Sequence, residues 1–535
     1  MKVQRSCIVA VSLLLFSFGQ LARPAESAKP KLIVAVIIDQ FRYDYLTRFR
    51  GEYHGGLDQM LSHGADFTNA FYAQVPTVTA VGHSIFLSGA MPAVSGVVSN
   101  SWYDRDEAHV VTSVCDWNEK LVGTNAQPAK GGKCTDSDPA SPRRLLVSTL
   151  GDEIRTVNAN SKVIGISIKA RGAILPSGHR AAGAFWFDDT TGNFVSSTYY
   201  MNQLPDWASS FNAEKRAAKY VDQVWNGFPG WNFHASEGSK SPYSKLAAGP
   251  WGNELIEGFA EKAVESAQLG QTPGVTDLLT VSFSSNDYVG HAVGPDAPEV
   301  RDMAVRADAL LGKLFAVIEK QVGMKNVIVV LSADHGVAAS PLQAEKDKMP
   351  GGFIAANVEE KVASALTRKF GKANWLIPGG GETSLYFDWN AIEKHKSADG
   401  KTVTEEEVYR TAADALLSEP PLHVARVYNR RQLSDGVAGD FIAQAEMNGF
   451  FPRRSGDLSI VFDSGYLPGS SGTTHFSPYA YDRHVPVLFM GPGIKAGRYN
   501  ETVQPNDIAP TLATMLDVQT PSGSSGRVLS EMISR

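Results

Sequence analysis

Cysteine is nearly absent, with three residues in 535. That is too few for a disulfide-rich scaffold, so a chain this long must hold together through an apolar core. There is no basic excess either. Fifty Lys and Arg stand against fifty-six Asp and Glu, a net charge of −6. Nucleic-acid binding therefore has no electrostatic support, and an anionic substrate would need a local cationic site. Beyond the N-terminus no stretch approaches 18 uninterrupted apolar residues, so no membrane span is expected after it and the mature chain is expected to be soluble. There is no internal repeat.

What remains is ordinary globular composition, 43% hydrophobic and 20% charged. The N-terminus reads as an export signal. Lys2 and Arg5 precede the apolar run 7–18, and Ala25-Glu26-Ser27 offers small residues for cleavage. The alternative is a buried N-terminal helix. Residues 1–27 are thus expected to be removed, leaving a periplasmic or secreted domain over 28–535. Cys115 and Cys134 would then be the remaining pair, suited to one disulfide closing a polar loop. Two free thiols are the bland alternative.

Several segments read as strands buried on both faces: 31–40, 162–171, 277–287, 326–336 and 485–494. Between them lie helical patterns. In 298–321, Val300, Met303, Ala307, Leu310, Leu311, Leu314 and Ile318 share one face. The alternation argues for an α/β fold with a doubly wound, mostly parallel sheet flanked by helices. Residues about 184–255 and 340–470 break the pattern and read as insertions shaping a site mouth.

Ligands of such sheets gather beyond the carboxyl ends of the strands. Asp39, Lys169, Arg171, Asp287, Asp334 and His335 all stand at such ends. His291 follows Asp287 by four residues, and His475 sits in the small-residue loop GSSGTTHFSP. Three Asp and three His could supply two three-ligand zinc sites, each with an open position for catalysis. Each signal alone is weak, since a strand-terminal Asp is often only a helix cap. Lys169 and Arg171 are two apart, so on an extended strand they would project to one side and clamp a phosphoryl group. VPTVTAVGHS (75–84) carries two threonines, either of which could be a nucleophile or a cap.

Together, Asp39, Pro76-Thr-Val-Thr79, Asp287-x-x-x-His291, Asp334-His335-Gly336 and the late His475 resemble the alkaline phosphatase superfamily. The order and spacing cover nearly the whole mature chain, and DIAPTLATML (507–516) resembles the helix that closes that fold. Pro-Thr-x-Thr resembles the threonine-nucleophile branch. That branch includes nucleotide pyrophosphatase/phosphodiesterases and phosphate-irrepressible alkaline phosphatases. The resemblance implies that Thr79 is the nucleophile and that Asn100 contacts a phosphate oxygen. It implies one zinc on Asp287, His291 and His475, and a second on Asp39, Asp334, His335 and Thr79. Lys169-Ala-Arg171-Gly-Ala resembles the monoesterase motif of the alkaline phosphatases, which the diesterases lack.

The expected function is an exported two-zinc alkaline phosphatase. It would act on small phosphate monoesters through a phosphothreonine, as a monomer or weak oligomer. A diesterase and a phosphate-binding protein without turnover are the alternatives. No set of ligands for a third metal is evident, and no sulfatase-type C/S-x-P-x-R pattern occurs near 75–85. His83, His179 and His484 are expected to be structural, and Thr77 a cap or loop hydroxyl.

Overall fold

A computed structural model describes residues 29–125, 134–135, 138–233, 241–379, 381, 383–397 and 400–534. The expected signal peptide lies outside the described residues. The first apolar run forms β1 (Leu32–Ile38), and all seven of its residues are buried. Alternation splits them between two cores. Leu32, Val34, Val36 and Ile38 face one apolar cluster, and Ile33, Ala35 and Ile37 face another on the opposite side. A strand covered on both faces has no room for polar residues, which is why the sequence reads as an unbroken apolar run.

Ten strands make the main sheet. After β1 come β2 (Ala65–Ala70), β3 (Leu121–Val122), β4 (Val163–Ser167), β5 (Gly183–Asp188), β6 (Asn193–Ser197), β7 (Asp277–Phe283), β8 (Val327–Ser332), β9 (Val487–Met490) and β10 (Gly497–Val503). Their spatial order is β10-β2-β9-β8-β1-β7-β4-β5-β6-β3. The central run β8-β1-β7-β4-β5 is parallel throughout. Antiparallel pairs appear only toward the edges, at β8–β9, β9–β2, β5–β6 and β6–β3. Register aligns Ile37 with Ser332 on one side and Ser282 on the other, and Ser282 with Ser167. The loops after β1, β4, β7 and β8 therefore leave the sheet along one edge, as doubly wound sheets place their ligand sites.

Helices cover both faces. They include α1 (Thr79–Ser88), α2 (Ala170–Ser177), α3 (Pro250–Ser266), α4 (Ser285–Val293), α5 (Pro298–Gln321) and α6 (Ile508–Leu516). In α5 all seven residues expected on one face are buried.

Two sequence expectations need correction. Residues about 184–255 are not wholly an insertion, because β5 and β6 are strands of the main sheet and α3 begins at Pro250. Their aromatic residues, in GAFWFD and NFVSS, hid the β alternation; nearly every one is buried. Lys169 and Arg171 do not lie on an extended strand. β4 ends at Ser167, Lys169 is the residue before α2, and Arg171 stands in its first turn.

Within 340–470 the chain leaves the main sheet and builds a cap. Four strands pair there in the order Leu376–Ile377, Ser384–Phe387, Leu458–Phe462 and Val424–Asn429. Val358–Phe370 and Glu405–Leu417 are its longer helices. Asp457 pins the cap: buried to 1% exposure, it accepts from Phe387 N at 2.9 Å and from Arg105 Nη2 at 2.9 Å.

Candidate active site

Thr79 opens α1, and all ten residues of that helix are buried. Gly82 sets how close α1 comes to the sheet edge, because a Cβ there would collide with the backbone of Asp334. Val78 is extended, so Thr79 stands at the turn from loop to helix. Its hydroxyl has no hydrogen bond among the described residues, and the positive end of the helix lies beside it. Thr77 is a loop hydroxyl: its Oγ1 donates to Ser477 O at 3.1 Å. Asn100 accepts from Ala80 N through Oδ1 at 2.8 Å, which leaves its amide N–H groups for another partner.

Around the N-terminus of α1 the chain gathers Asp39, Asp287, Asp334, His291, His335 and His475. The three carboxylates are 0–5% exposed. Buried carboxylates need cations. One is present: Lys169 Nζ lies 2.9 Å from Asp39 and 2.7 Å from Asp287. Burial raises the Asp39 and Asp287 carboxyls, but Lys169, joined by His83 at Asp39 and by His291 and His475 at Asp287, outweighs it and both are held below the usual carboxylate range. Asp334 forms no ion pair with Lys169. Burial first, and then the charge of Asp39, push its carboxyl up to about 7.

The three histidines share one arrangement. Nδ1 of His291 donates to Thr473 O at 2.8 Å, Nδ1 of His335 to Gly336 O at 2.9 Å, and Nδ1 of His475 to Thr77 O at 2.7 Å. A carbonyl can only accept, so each ring is fixed with Nε2 turned to the carboxylates. This is the support a metal-ligating imidazole receives. Nε2 of His291 and of His475 lie 3.2 Å and 3.6 Å from Asp287 Oδ1. Burial pushes His335 and His475 down to about 4, so both are neutral and hold a lone pair at Nε2.

Asp287, His291 and His475 converge tightly enough to hold one cation. Beside them, Asp334 Oδ2 and His335 Nε2 are 3.3 Å apart, both buried and both without a hydrogen-bond partner among the described residues. Two orphaned acceptors facing each other fit a cation between them. His83 also approaches Asp39 and Asp334, at 3.4 and 3.5 Å. Both of its ring nitrogens are already engaged, on Thr79 O and Ser282 Oγ. His335 is thus the imidazole left available beside Asp334.

Further residues hold this cluster in place. Gln40 gives its backbone N–H to Asp334 Oδ1 at 3.0 Å and its side-chain amide to Asp287 Oδ1 at 2.8 Å. Its φ of 58° turns the backbone between them. Gly290 leaves the space, since a Cβ there would strike the Gln40 side chain. Asp482 accepts from Phe476 N, Ser477 N and Ser477 Oγ, pinning the loop after His475 where Phe476 has φ 136°. Sequence reading passed over Gln40 and Asp482, while His83, expected to be structural, is held on Thr79 O and Ser282 Oγ. Gln40 adjoins Asp39, and its position was the one usable signal.

His179 bonds Val147 O, and His484 stacks between Tyr43 and Phe71 while bonding Thr68 O. Both are structural. Arg171 is half-buried. Cys115 and Cys134 are joined, with Cα atoms 6.2 Å apart. A cleft of about 280 Å³ opens beside the cluster, between Asn100, His291 and His475 on one wall and cap residues such as Thr383, Tyr386 and Glu446 on the other.

Carboxylates and imidazoles gathered at one edge of a parallel sheet, around the first hydroxyl of a helix, define a hydrolase of the alkaline phosphatase-like α/β fold. The chain belongs to the type I phosphodiesterase / nucleotide pyrophosphatase family, whose model matches residues 33–480. It is 36% identical to alkaline phosphatase PhoV of Synechococcus elongatus, over 95% of this chain and 94% of that one. It is also 36% identical to alkaline phosphatase PafA of Elizabethkingia meningoseptica, over 95% of both. The crystal structure of wild-type alkaline phosphatase PafA superposes with a TM-score of 0.84 at 35% identity, covering 95% of this chain and 99% of that one. Murine ectonucleotide pyrophosphatase/phosphodiesterase 5, at 15% identity and a TM-score of 0.52, shares the fold alone.

Proposed function

We propose that the chain is an exported alkaline phosphatase that hydrolyses small phosphate monoesters with two zinc ions and a phosphothreonine at Thr79. One observation carries the reading. Three imidazoles tied through Nδ1 to backbone carbonyls turn Nε2 toward three buried carboxylates, next to an uncommitted threonine hydroxyl. The names of the relatives point the same way.

Asp287, His291 and His475 would hold one ion; Asp39, Asp334, His335 and Thr79 would hold the other. When bound, the ions supply Lewis-acid charge to the reacting oxygens. The protein supplies position and electrostatics, which is most of what phosphoryl transfer requires. The Thr79 hydroxyl forms a bond to phosphorus as the ester P–O bond breaks and the alcohol leaves. Water then cleaves the phosphothreonine, releasing phosphate and restoring Thr79. Asn100, anchored through Oδ1, presents its N–H groups to a phosphoryl oxygen. Lys169 and Arg171 offset the negative charge, and the first turn of α1 adds its dipole.

Two cations suit a terminal phosphoryl group with several free oxygens better than a diester, which carries less charge. That is the physical case for Lys169-Ala-Arg171-Gly-Ala marking a monoesterase. The test compares turnover of an aryl phosphate with that of its methyl diester. The aryl phosphate is expected to be strongly preferred, and Arg171→Ala to lower monoester turnover more than diester turnover. A clear preference for the diester would overturn the choice.

A further inference from the structure

Glu446 is a buried carboxyl that the proposed chemistry leaves unused. It stands on the cap helix Phe441–Gly449, whose start is capped by Asp440. Gly449 lets that helix press on the backbone of Val75, just ahead of the nucleophile segment, since a Cβ there would collide with Val75 O. The side chain is 3% exposed. Oε2 accepts from Ser459 Oγ at 2.6 Å, while Oε1 is buried with no partner among the described residues.

Glu446 faces the same cleft as Asn100, His291 and His475. Among the described residues no lysine or arginine lines that cleft, and no ion pair is formed by Glu446. Burial pushes this carboxyl up to about 7, with the Ser459 hydroxyl opposing. At alkaline pH it is therefore a buried anion lacking a counter-charge, a costly arrangement unless a ligand completes it. The cleft thus has two unlike ends: Asn100, His291 and His475 line one, where the phosphoryl group would sit, and the Glu446 carboxylate lines the other.

We propose that Glu446 is the specificity-determining residue of a leaving-group subsite that takes a cationic alcohol, the phosphate ester of a small amino alcohol. The ammonium of the substrate would supply the missing partner of Oε1. The inference rests on the monoesterase reading.

The test measures kcat/KM at about pH 9 for 2-aminoethyl phosphate, the isosteric propyl phosphate and glycerol 1-phosphate, in the wild-type protein and in Glu446→Gln. The wild type is expected to prefer 2-aminoethyl over propyl phosphate by about tenfold, as for a hydrogen bond to a charged group. Glu446→Gln is expected to bring that ratio close to one, and Ser459→Ala, which keeps the carboxylate, to retain it. A ratio does not depend on how much protein is folded. The same ratio in wild type and Glu446→Gln overturns the proposal. So does a loss confined to glycerol phosphate, which would assign the subsite to neutral hydroxyls. Turnover of an aryl phosphate separates the two layers: its absence in the wild type defeats the monoesterase reading instead.

Discussion

The cleft has two walls of different construction. The sheet-edge wall carries Asn100, His291 and His475, and behind it lie three buried carboxylates, two further imidazoles and one ammonium, held by hydrogen bonds to backbone carbonyls, Gln40 and Ser282. The cap wall, from residues within 376–462, contributes mostly hydroxyls and a single carboxyl, Glu446. The first wall is dense in charge that must be balanced by cations. The second carries one unbalanced charge. On the proposed function, the difference separates chemistry from selection: fixed groups would act on the phosphoryl end, and the cap would read what is attached to it.

The sharpest way to break that division is Thr79→Ala. Turnover of an aryl phosphate is expected to fall by at least about 10⁴-fold, on the scale of removing a nucleophile elsewhere. The thermal midpoint should move little, because only one hydroxyl and one methyl are lost. Full activity in the variant would move the nucleophile away from α1 and dissolve the assignment of roles.

A broader effect, reaching structure as well as turnover, should follow chelation. Without divalent cations the sheet-edge wall keeps three buried carboxylates against Lys169, whereas the cap wall has no such dependence. Metal analysis of the purified protein is expected to find two zinc ions. Stripping them should abolish turnover and speed amide hydrogen exchange in α4 and in the loops at 334–336 and 473–477, with the cap sheet unchanged. Equal loosening of both walls would show that the cap also depends on the metal.

The two walls also differ in how much of them was legible in the sequence. Asp39, Asp334 and His335 follow β-branched-rich runs, and a strand buried on both faces can end in a polar residue only where it leaves the core; Asp287, read as a strand end, stands instead in the first turn of α4. His475 was legible from its small-residue loop, and from resemblance. Gln40 and Asp482 were not, because their work is done through backbone geometry that leaves no periodic mark. β5 and β6 were hidden by aromatic residues that pack on the neighbouring helices, the Phe194 ring centroid lying 3.9 Å from that of Phe259 on α3. Lys169 and Arg171 were misplaced on a strand: the spacing of two suggested extended backbone, and the chain had already turned into α2. Glu446 gave no signal, since a Glu on an amphipathic helix is ordinarily solvated and only the packing of Gly449 on Val75 reveals that this one is not.

That last contrast predicts a pH effect on stability alone. The folded-state carboxyl of Glu446 titrates at about 7, above its ordinary value of 4.5. Below about pH 4 it is protonated in both folded and unfolded chains and costs nothing. As pH rises, the unfolded chain ionises first, so folding stability is lost progressively until the folded carboxyl also ionises near 7, and the loss is complete above that. Glu446→Gln removes the titration. Relative to wild type it should be neutral near pH 4 and more stable above about pH 8, by at most on the order of 3 kcal/mol. Denaturant melts of both proteins across that range check it, and parallel curves would show that Glu446 is solvated. If the variant instead gains stability while losing discrimination for 2-aminoethyl phosphate, the buried anion costs stability in the empty cleft and serves only when a cationic leaving group covers it.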